Sequence, residues 1–171
     1  MKYMIVNFLL ALLPPTRFFE LKRFLLNLFG VGVGARSRVC GGVKFYGAGR
    51  VVIGEDCWIG LGSRFYVSEG VNVTIHDRCD IAPEVAFMTG THELGDASRR
   101  AGVGKSASIE VGPGTWIGFR STLLAGCRIG GSCIVGANTL LLGRIYPAST
   151  LVLGSPACIA KSLPGDENAA E

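Results

Sequence analysis

A six-residue period, running from Val33 almost to the carboxy terminus, constrains this chain more than any other feature. An aliphatic or aromatic leader is followed by a small residue, two variable residues, a second small residue and one more variable residue. The clearest run is Val111-Gly112, Ile117-Gly118, Leu123, Ile129-Gly130, Val135-Gly136 and Leu141. Four positions after each leader stand Thr115, Ser121, Cys127, Cys133, Thr139 and Ile145, all small except the last. An earlier run gives Ile53-Gly54, Ile59-Gly60 and Phe65, then Ile75, Ile81-Ala82 and Phe87. A weaker first run gives Val33-Gly34, Val39 and Phe45. A helix needs apolar recurrence near 3.6 residues, which these segments lack. A short fixed period specifies a solenoid, and hexads with aliphatic leaders specify an all-β parallel β-helix. Three hexads close one triangular coil, so the leaders at 33, 53, 75, 111 and 129 are expected to stack. The coil from 53 carries four extra residues around Val67 to Asn72, and the coil from 75 carries a long loop excursion, 89–108. The same stacking puts Cys57, Cys79, Thr115 and Cys133 in one interior column.

Composition narrows the function classes. Glycine accounts for 25 of 171 residues without a collagen-like triplet, so the glycines are expected to serve turns. The formal net charge of +4 suits an anionic ligand or an anionic membrane face. No stripe of Lys and Arg argues for nucleic acid, and none is expected as a partner. The six cysteines include no C-x-x-C pair, which argues against a zinc site. They are expected to be free thiols packing as small hydrophobes in a reducing cytoplasm.

Residues 1–30 form an apolar amino-terminal segment. Tyr3 to Leu13 is apolar apart from Asn7, too short to cross a bilayer, which takes about 20 residues. A signal peptide, with Lys2 as its charge, is the rival reading, but no A-x-A-like cleavage site follows. Pro14-Pro15 breaks the run, Thr16 is expected to cap a new helix, and Arg17 to Phe29 reads as that helix. Its apolar residues cover too much of the surface for a solvated helix. Two placements remain open: packing on the main body or a neighbouring subunit, or peripheral membrane contact through residues 1–29. Residues 31–163 make the repeat domain and 164–171 a flexible tail.

Three stretches carry a resemblance. They are Ile81-Ala82-Pro83 followed by Thr89-Gly90-Thr91-His92, then Val111-Gly112-Pro113-Gly114-Thr115-Trp116-Ile117-Gly118, then Pro147 to Leu153 with Gly154-Ser155-Pro156-Ala157. Over residues 33–163 the chain resembles the left-handed parallel β-helix acyltransferases with hexapeptide repeats. Within them it is similar to the maltose and galactoside O-acetyltransferases and to the sugar acetyltransferases of polysaccharide synthesis. Those enzymes begin with a polar helical segment where this chain has an apolar one. The resemblance implies a homotrimer with a site between each pair of prisms. It implies acetyl-CoA along the carboxy-terminal coils and His92 as general base. It also assigns CoA contacts to Trp116, Gly118, Phe119, Ala137 and Leu142, and a place near the nucleotide end to Lys161.

The chemistry agrees with that assignment. A sugar hydroxyl attacks a thioester only as its proton is removed, and imidazole is suited to that task near neutral pH. His76 follows leader Ile75 and reads as a surface residue. Glu93 is a candidate to orient the imidazole of His92. Arg99, Arg100 and Lys105 in the excursion are candidates for contact with a charged acceptor or CoA phosphates. The expected acceptor is a sugar or polysaccharide precursor, and the expected location is the cytoplasm, extending to the inner face of the membrane. Two rival functions are N-acetylation of a nucleotide-linked amino sugar and a non-catalytic scaffold. A zinc hydratase on the same fold wants three histidines, and this chain has two, so no metal is expected.

Overall fold

The computed structural model describes residues 2–164, without the side chain of Lys2; apart from Pro164, the tail expected over 164–171 lies outside the described residues. The chain winds into a three-sided, left-handed parallel β-helix. On the first face Val33, Ile53, Ile75, Val111 and Ile129 stack in register, as the period predicts, and Tyr146 adds a sixth level. The second face stacks Val39, Ile59, Ile81, Ile117, Val135 and Val152. The third stacks Phe45, Phe65, Phe87, Leu123 and Leu141. All these leaders are buried, and each contributes roughly 1.5–3 kcal/mol of apolar transfer. The rings of Phe45, Phe65 and Phe87 stack at 5.0 and 4.6 Å, matching the strand spacing.

Coil length is strictly regulated at two corners and free at the third. From first-face to second-face leader, and from second to third, the step is six residues in every coil. From third face back to first, the steps run 8, 10, 24, 6 and 5 residues. The step of five breaks the hexad. Ile145, four places after Leu141 and the one large residue of that series, is 73% exposed, and Tyr146 is buried in the leader position. The shortened turn brings the Leu142 N–H to the Tyr146 hydroxyl at 3.0 Å, which ties the turn to the ring that replaces a hexad leader.

The glycines do a different job from the one composition suggests. Each of the two regular corners is turned by one left-handed residue per coil. At the first corner these are Arg36, Asp56, Arg78, Gly114, Ser132 and Ser149; at the second, Gly42, Gly62, Glu84, Arg120 and Asn138. Most are not glycine. The frequent glycines instead follow the leaders, where coils approach closely. A Cβ at Gly112 would lie 2.5 Å from backbone atoms of Gly130 and Gly131, and one at Gly118 2.6 Å from the Ala137 nitrogen. No side chain fits there.

The interior column proves to be a hydrogen-bond ladder as well as a filler. Ser37 Oγ donates to the Gly54 carbonyl (2.6 Å), Cys57 Sγ to that of His76 (3.1 Å) and Cys79 Sγ to that of Gly112 (3.2 Å). Thr115 and Cys133 continue it to the carbonyls of Gly130 and Pro147. Each small donor satisfies a corner carbonyl of the next coil that a purely apolar residue would leave unpaired. All six cysteines are free thiols, but Cys158 is exposed, contrary to the expectation that all pack in the core. It lies on Cys158–Ser162, a strand that folds back antiparallel on Thr150–Leu153 and covers the last edge of the second face.

The other end of the prism is closed by two helices, α1 (Lys2–Ala11) and α2 (Phe19–Leu28). α1 buries Tyr3, Val6 and Leu10 at helical spacing, and the Tyr3 hydroxyl donates to the Gly49 carbonyl at 2.6 Å. Asn7, the polar break in the apolar run, uses its amide as a substitute strand. It donates to the Phe45 carbonyl (2.8 Å) and accepts from the Phe45 N–H (3.0 Å). Asn27 on α2 does the same for Val33, at 3.1 and 2.9 Å. The Pro15 carbonyl accepts from the Gly41 N–H at 2.8 Å on the remaining side. Three open edges are thus satisfied by two amides and one carbonyl. The inner sides of both helices therefore pack on the body. Thr16 does not cap α2: Phe18 stands there in the left-handed region, without a side-chain cap bond. The turn is set instead by Lys22, whose buried ammonium donates to the Pro14 and Pro15 carbonyls at 2.7 and 2.8 Å. Among the described residues no helix is long and apolar enough to cross a membrane.

Candidate active site

The expected loop excursion is an ordered β-hairpin. Gly90–Leu94 pairs antiparallel with Ala101–Ser106, and His92 stands opposite Gly104. Its root is Thr89, wholly buried on the third face. The Thr89 hydroxyl donates to the Tyr66 carbonyl (3.2 Å) and accepts from the Ser68 N–H (2.8 Å), while its carbonyl accepts from the Ala107 N–H (3.0 Å). The threonine before Gly90 thus fixes where the hairpin leaves the prism. At the tip, Asp96 accepts from the Ser98 hydroxyl (2.6 Å) and from the Ser98 and Arg99 N–H groups, which holds its carboxyl below the usual carboxylate range.

His92 is exposed and lines a hollow of about 460 Å³ with Ser68, Glu69, Gly90, Thr91, Gly104, Lys105 and Ser106. Lys105, paired with Thr91, shares this hollow, whereas Arg99 and Arg100 lie toward the tip, before Ala101. Glu93 stands at the irregularity in the hairpin register between His92 and Leu94. His76 is indeed on the surface, where its Nε2 meets Glu110 Oε1 at 2.9 Å across two coils.

The six residues expected to hold CoA fall at three places, none sharing the His92 hollow. Trp116 stands on the second face, 53% exposed. It is in register with Ile134, which is in register with Leu151, which pairs with Lys161. Trp116 and Lys161 therefore lie on one face three strand spacings apart, roughly 14 Å. Gly118, Phe119 and Ala137 gather at the next corner, where the Phe119 carbonyl accepts from the Asn138 N–H at 2.8 Å. Leu142 lies across the third face, at the corner from which the hairpin springs. The half-exposed Trp116, Phe119 and Leu142 offer apolar surface suited to a slender chain, and Lys161 offers a cation for a phosphate. A flat-faced prism encloses none of them.

Sequence reasoning missed one feature beside His92. The residues following the third-face leaders form an outward apolar stripe: Tyr46, Tyr66, Met88 and Leu124 are in register, and Leu142 follows Leu141 in the next coil. The rings of Tyr46 and Tyr66 stack at 4.9 Å, 8° from parallel. The signal was available: after first-face and second-face leaders the next residue is usually Gly, after third-face leaders it is always large and apolar.

No family model matches the chain. A putative acetyltransferase of Staphylococcus aureus is 30% identical over 116 residues, which cover 68% of this chain and 57% of that protein. The chain thus spans little more than half the length of the curated relatives it matches most strongly. A crystal structure of a hexapeptide-repeat acetyltransferase from Vibrio cholerae, complexed with acetyl coenzyme A, is 25% identical with a TM-score of 0.77. It covers 96% of this chain and 86% of its own. A galactoside acetyltransferase in complex with coenzyme A shares the fold at a TM-score of 0.79 and 20% identity, covering 95% of this chain and 81% of its own. In its repeat and its fold, the chain is similar to the hexapeptide-repeat acetyltransferases.

Proposed function

We propose that the protein transfers an acetyl group from acetyl-CoA to a hydroxyl of a sugar or polysaccharide precursor, with His92 as general base. One observation carries the reading: an exposed imidazole is held at the mouth of a hollow by a hairpin rooted on a buried threonine. It is supported by the acetyl coenzyme A bound in the Vibrio relative. His92 accepts the hydroxyl proton as the oxygen attacks the thioester carbonyl. The new C–O bond forms, the C–S bond breaks, and the proton passes from the imidazole to the leaving thiolate. The products are an acetate ester and free CoA thiol. General-base assistance of this kind is worth about 10²–10⁴ in rate.

Trp116, Gly118, Phe119, Ala137, Leu142 and Lys161 are the residues we assign to CoA. Their separation from the His92 hollow within one chain argues that a site is completed between chains. The arrangement proposed is a homotrimer in which one prism brings its hairpin to the second face of the next. Use of acetyl-CoA, an intracellular donor, supports a cytoplasmic location. There the outer sides of α1 and α2, with Met4, Phe8, Leu21 and Phe24 exposed, meet the inner face of the membrane.

The test is an acceptor screen with acetyl-CoA, following thiol release, run beside His92→Ala. Release with hydroxyl acceptors, reduced about 10²–10⁴-fold in the variant without loss of thermal stability, is expected. Release with amino sugars alone turns the reading to N-acetylation. Substantial turnover by His92→Ala rejects the proposed base. Neither turnover nor CoA affinity points to a scaffold.

A further inference from the structure

Three adjoining hollows make one groove along the third-face edge. The first, of about 560 Å³, is walled by Met4 and Phe8 of α1 and by Tyr46 and Gly47. The second, of about 260 Å³, shares Tyr46 and Gly47 with it and adds Tyr66 and Met88. The third, which holds His92, shares Ser68 and Gly90 with the second. The groove therefore leads from the exposed apolar side of α1, past the stacked tyrosines and Met88, to the imidazole. Its chemistry changes along its length. The middle is apolar; the α1 end sets Asn7 and Lys44 beside Met4 and Phe8, and the His92 end gathers Ser68, Glu69, Thr91, Lys105 and Ser106.

We propose that the acceptor is a glycolipid-like amphiphile, a sugar carrying a long alkyl chain. The sugar hydroxyl lies at His92 and the chain lies along Met88, Tyr66 and Tyr46 toward Phe8 and Met4. Two arguments fix this occupant. An apolar groove that ends on a proton acceptor is matched only by a molecule with one apolar and one hydroxyl-bearing end. The groove also opens at the helix whose exposed Met4, Ile5, Phe8 and Leu12 would otherwise present bare apolar surface to water. From Tyr46 to Met88 the wall covers two strand spacings, roughly 10 Å, enough for about eight methylenes in contact. Each buried methylene adds favourable transfer, so chain length should register clearly in binding. The stripe continues past Met88 through Leu124 to Leu142, on the side assigned to CoA.

This inference rests on the acetyl-transfer reading above, and the test separates the two. Methyl, octyl and dodecyl β-D-glucosides and β-maltosides, below their micelle concentrations, are assayed with acetyl-CoA for transfer to the glycoside. The same compounds are titrated by calorimetry without donor. The expected result is a KM and a Kd at least tenfold lower for octyl than for methyl glycoside. Tyr46→Ser and Phe8→Ser should flatten that dependence. Chain-length-dependent binding without transfer supports the groove and counts against acetyl transfer. Transfer with the same KM for every chain length overturns the amphiphile and leaves acetyl transfer standing. Binding of none of the long-chain glycosides, as when a second copy of the chain covers the stripe, also overturns it.

Discussion

The second and third corners of this prism are built on opposite rules. At the second corner every coil advances six residues from leader to leader, with one left-handed residue and a close coil-to-coil contact. At the third, coil length varies between 5 and 24 residues, and the outward edge is an apolar stripe rather than a close-packed turn. A corner where even a Cβ would meet the next coil's backbone within 3 Å cannot accept an extra residue without lifting the coil above. At the third corner close contacts occur at single glycines, such as Gly47 against Val67 and Gly143 against Ala125, and the added residues leave the stack between them as loops and the hairpin. The fold thus leaves one edge free for chemistry, and the hairpin, His92, the tyrosines and the shortened turn beside Leu142 all lie there.

The largest predicted effect breaks this contrast directly. One residue inserted after Asn138 at the second corner turns the following leaders outward. It should cost about 4 kcal/mol, the worth of two leaders, or prevent folding. The same insertion beside Gly70 at the third corner should cost well under about 1 kcal/mol. Urea denaturation of the two variants measures the difference, and equal losses would erase the distinction.

The next effect asks whether edges closed by amides differ from edges left free. Asn27→Leu strips both bonds from Val33 and leaves its N–H and C=O unpaired against α2. A loss of about 2–3 kcal/mol is expected, with Asn27→Asp recovering only the acceptor half. Smaller again is Gly118→Ala, expected to lose about 1–3 kcal/mol because its Cβ would meet the Ala137 backbone at 2.6 Å. If that variant keeps its stability yet loses CoA binding, Gly118 serves the ligand rather than the stack. The mildest test is chemical. Burial pushes the Cys127 thiol up to about 12, and Cys40, Cys57, Cys79 and Cys133 are buried too. A thiol reagent at pH 8 should label Cys158 rapidly and the others only on unfolding.

The architecture was legible because six-residue periodicity is a local property repeated along the chain. Leaders from Val33 to Ile129 could be stacked by counting. Counting fails where the rule itself changes: the turn after Leu142 drops one residue, so Tyr146 takes the leader position. Thr16 looked like a cap because nothing in its neighbours reveals that Lys22 folds back onto Pro14 and Pro15. Asn7 reads as an interruption of an apolar run and Asn27 carries no sequence signal, since their partners, Phe45 and Val33, are set by tertiary docking. His92 was located by its motif, and its hairpin by neither pattern nor composition, because Ala101–Ser106 has no apolar face to announce a strand. The tyrosine stripe was available as a comparison of one position across all coils and was overlooked by reading each hexad alone.

The central claim is that acetyl transfer occurs at the third corner, on His92, where one prism meets the next. A crystal structure of the protein with coenzyme A tests it most directly. The account predicts the thiol beside the His92 imidazole of one chain, with the pantetheine arm along Trp116 and Phe119 of a neighbouring chain. Coenzyme A seated away from every hairpin, or a protein whose copies never bring His92 near another chain's second face, would contradict it.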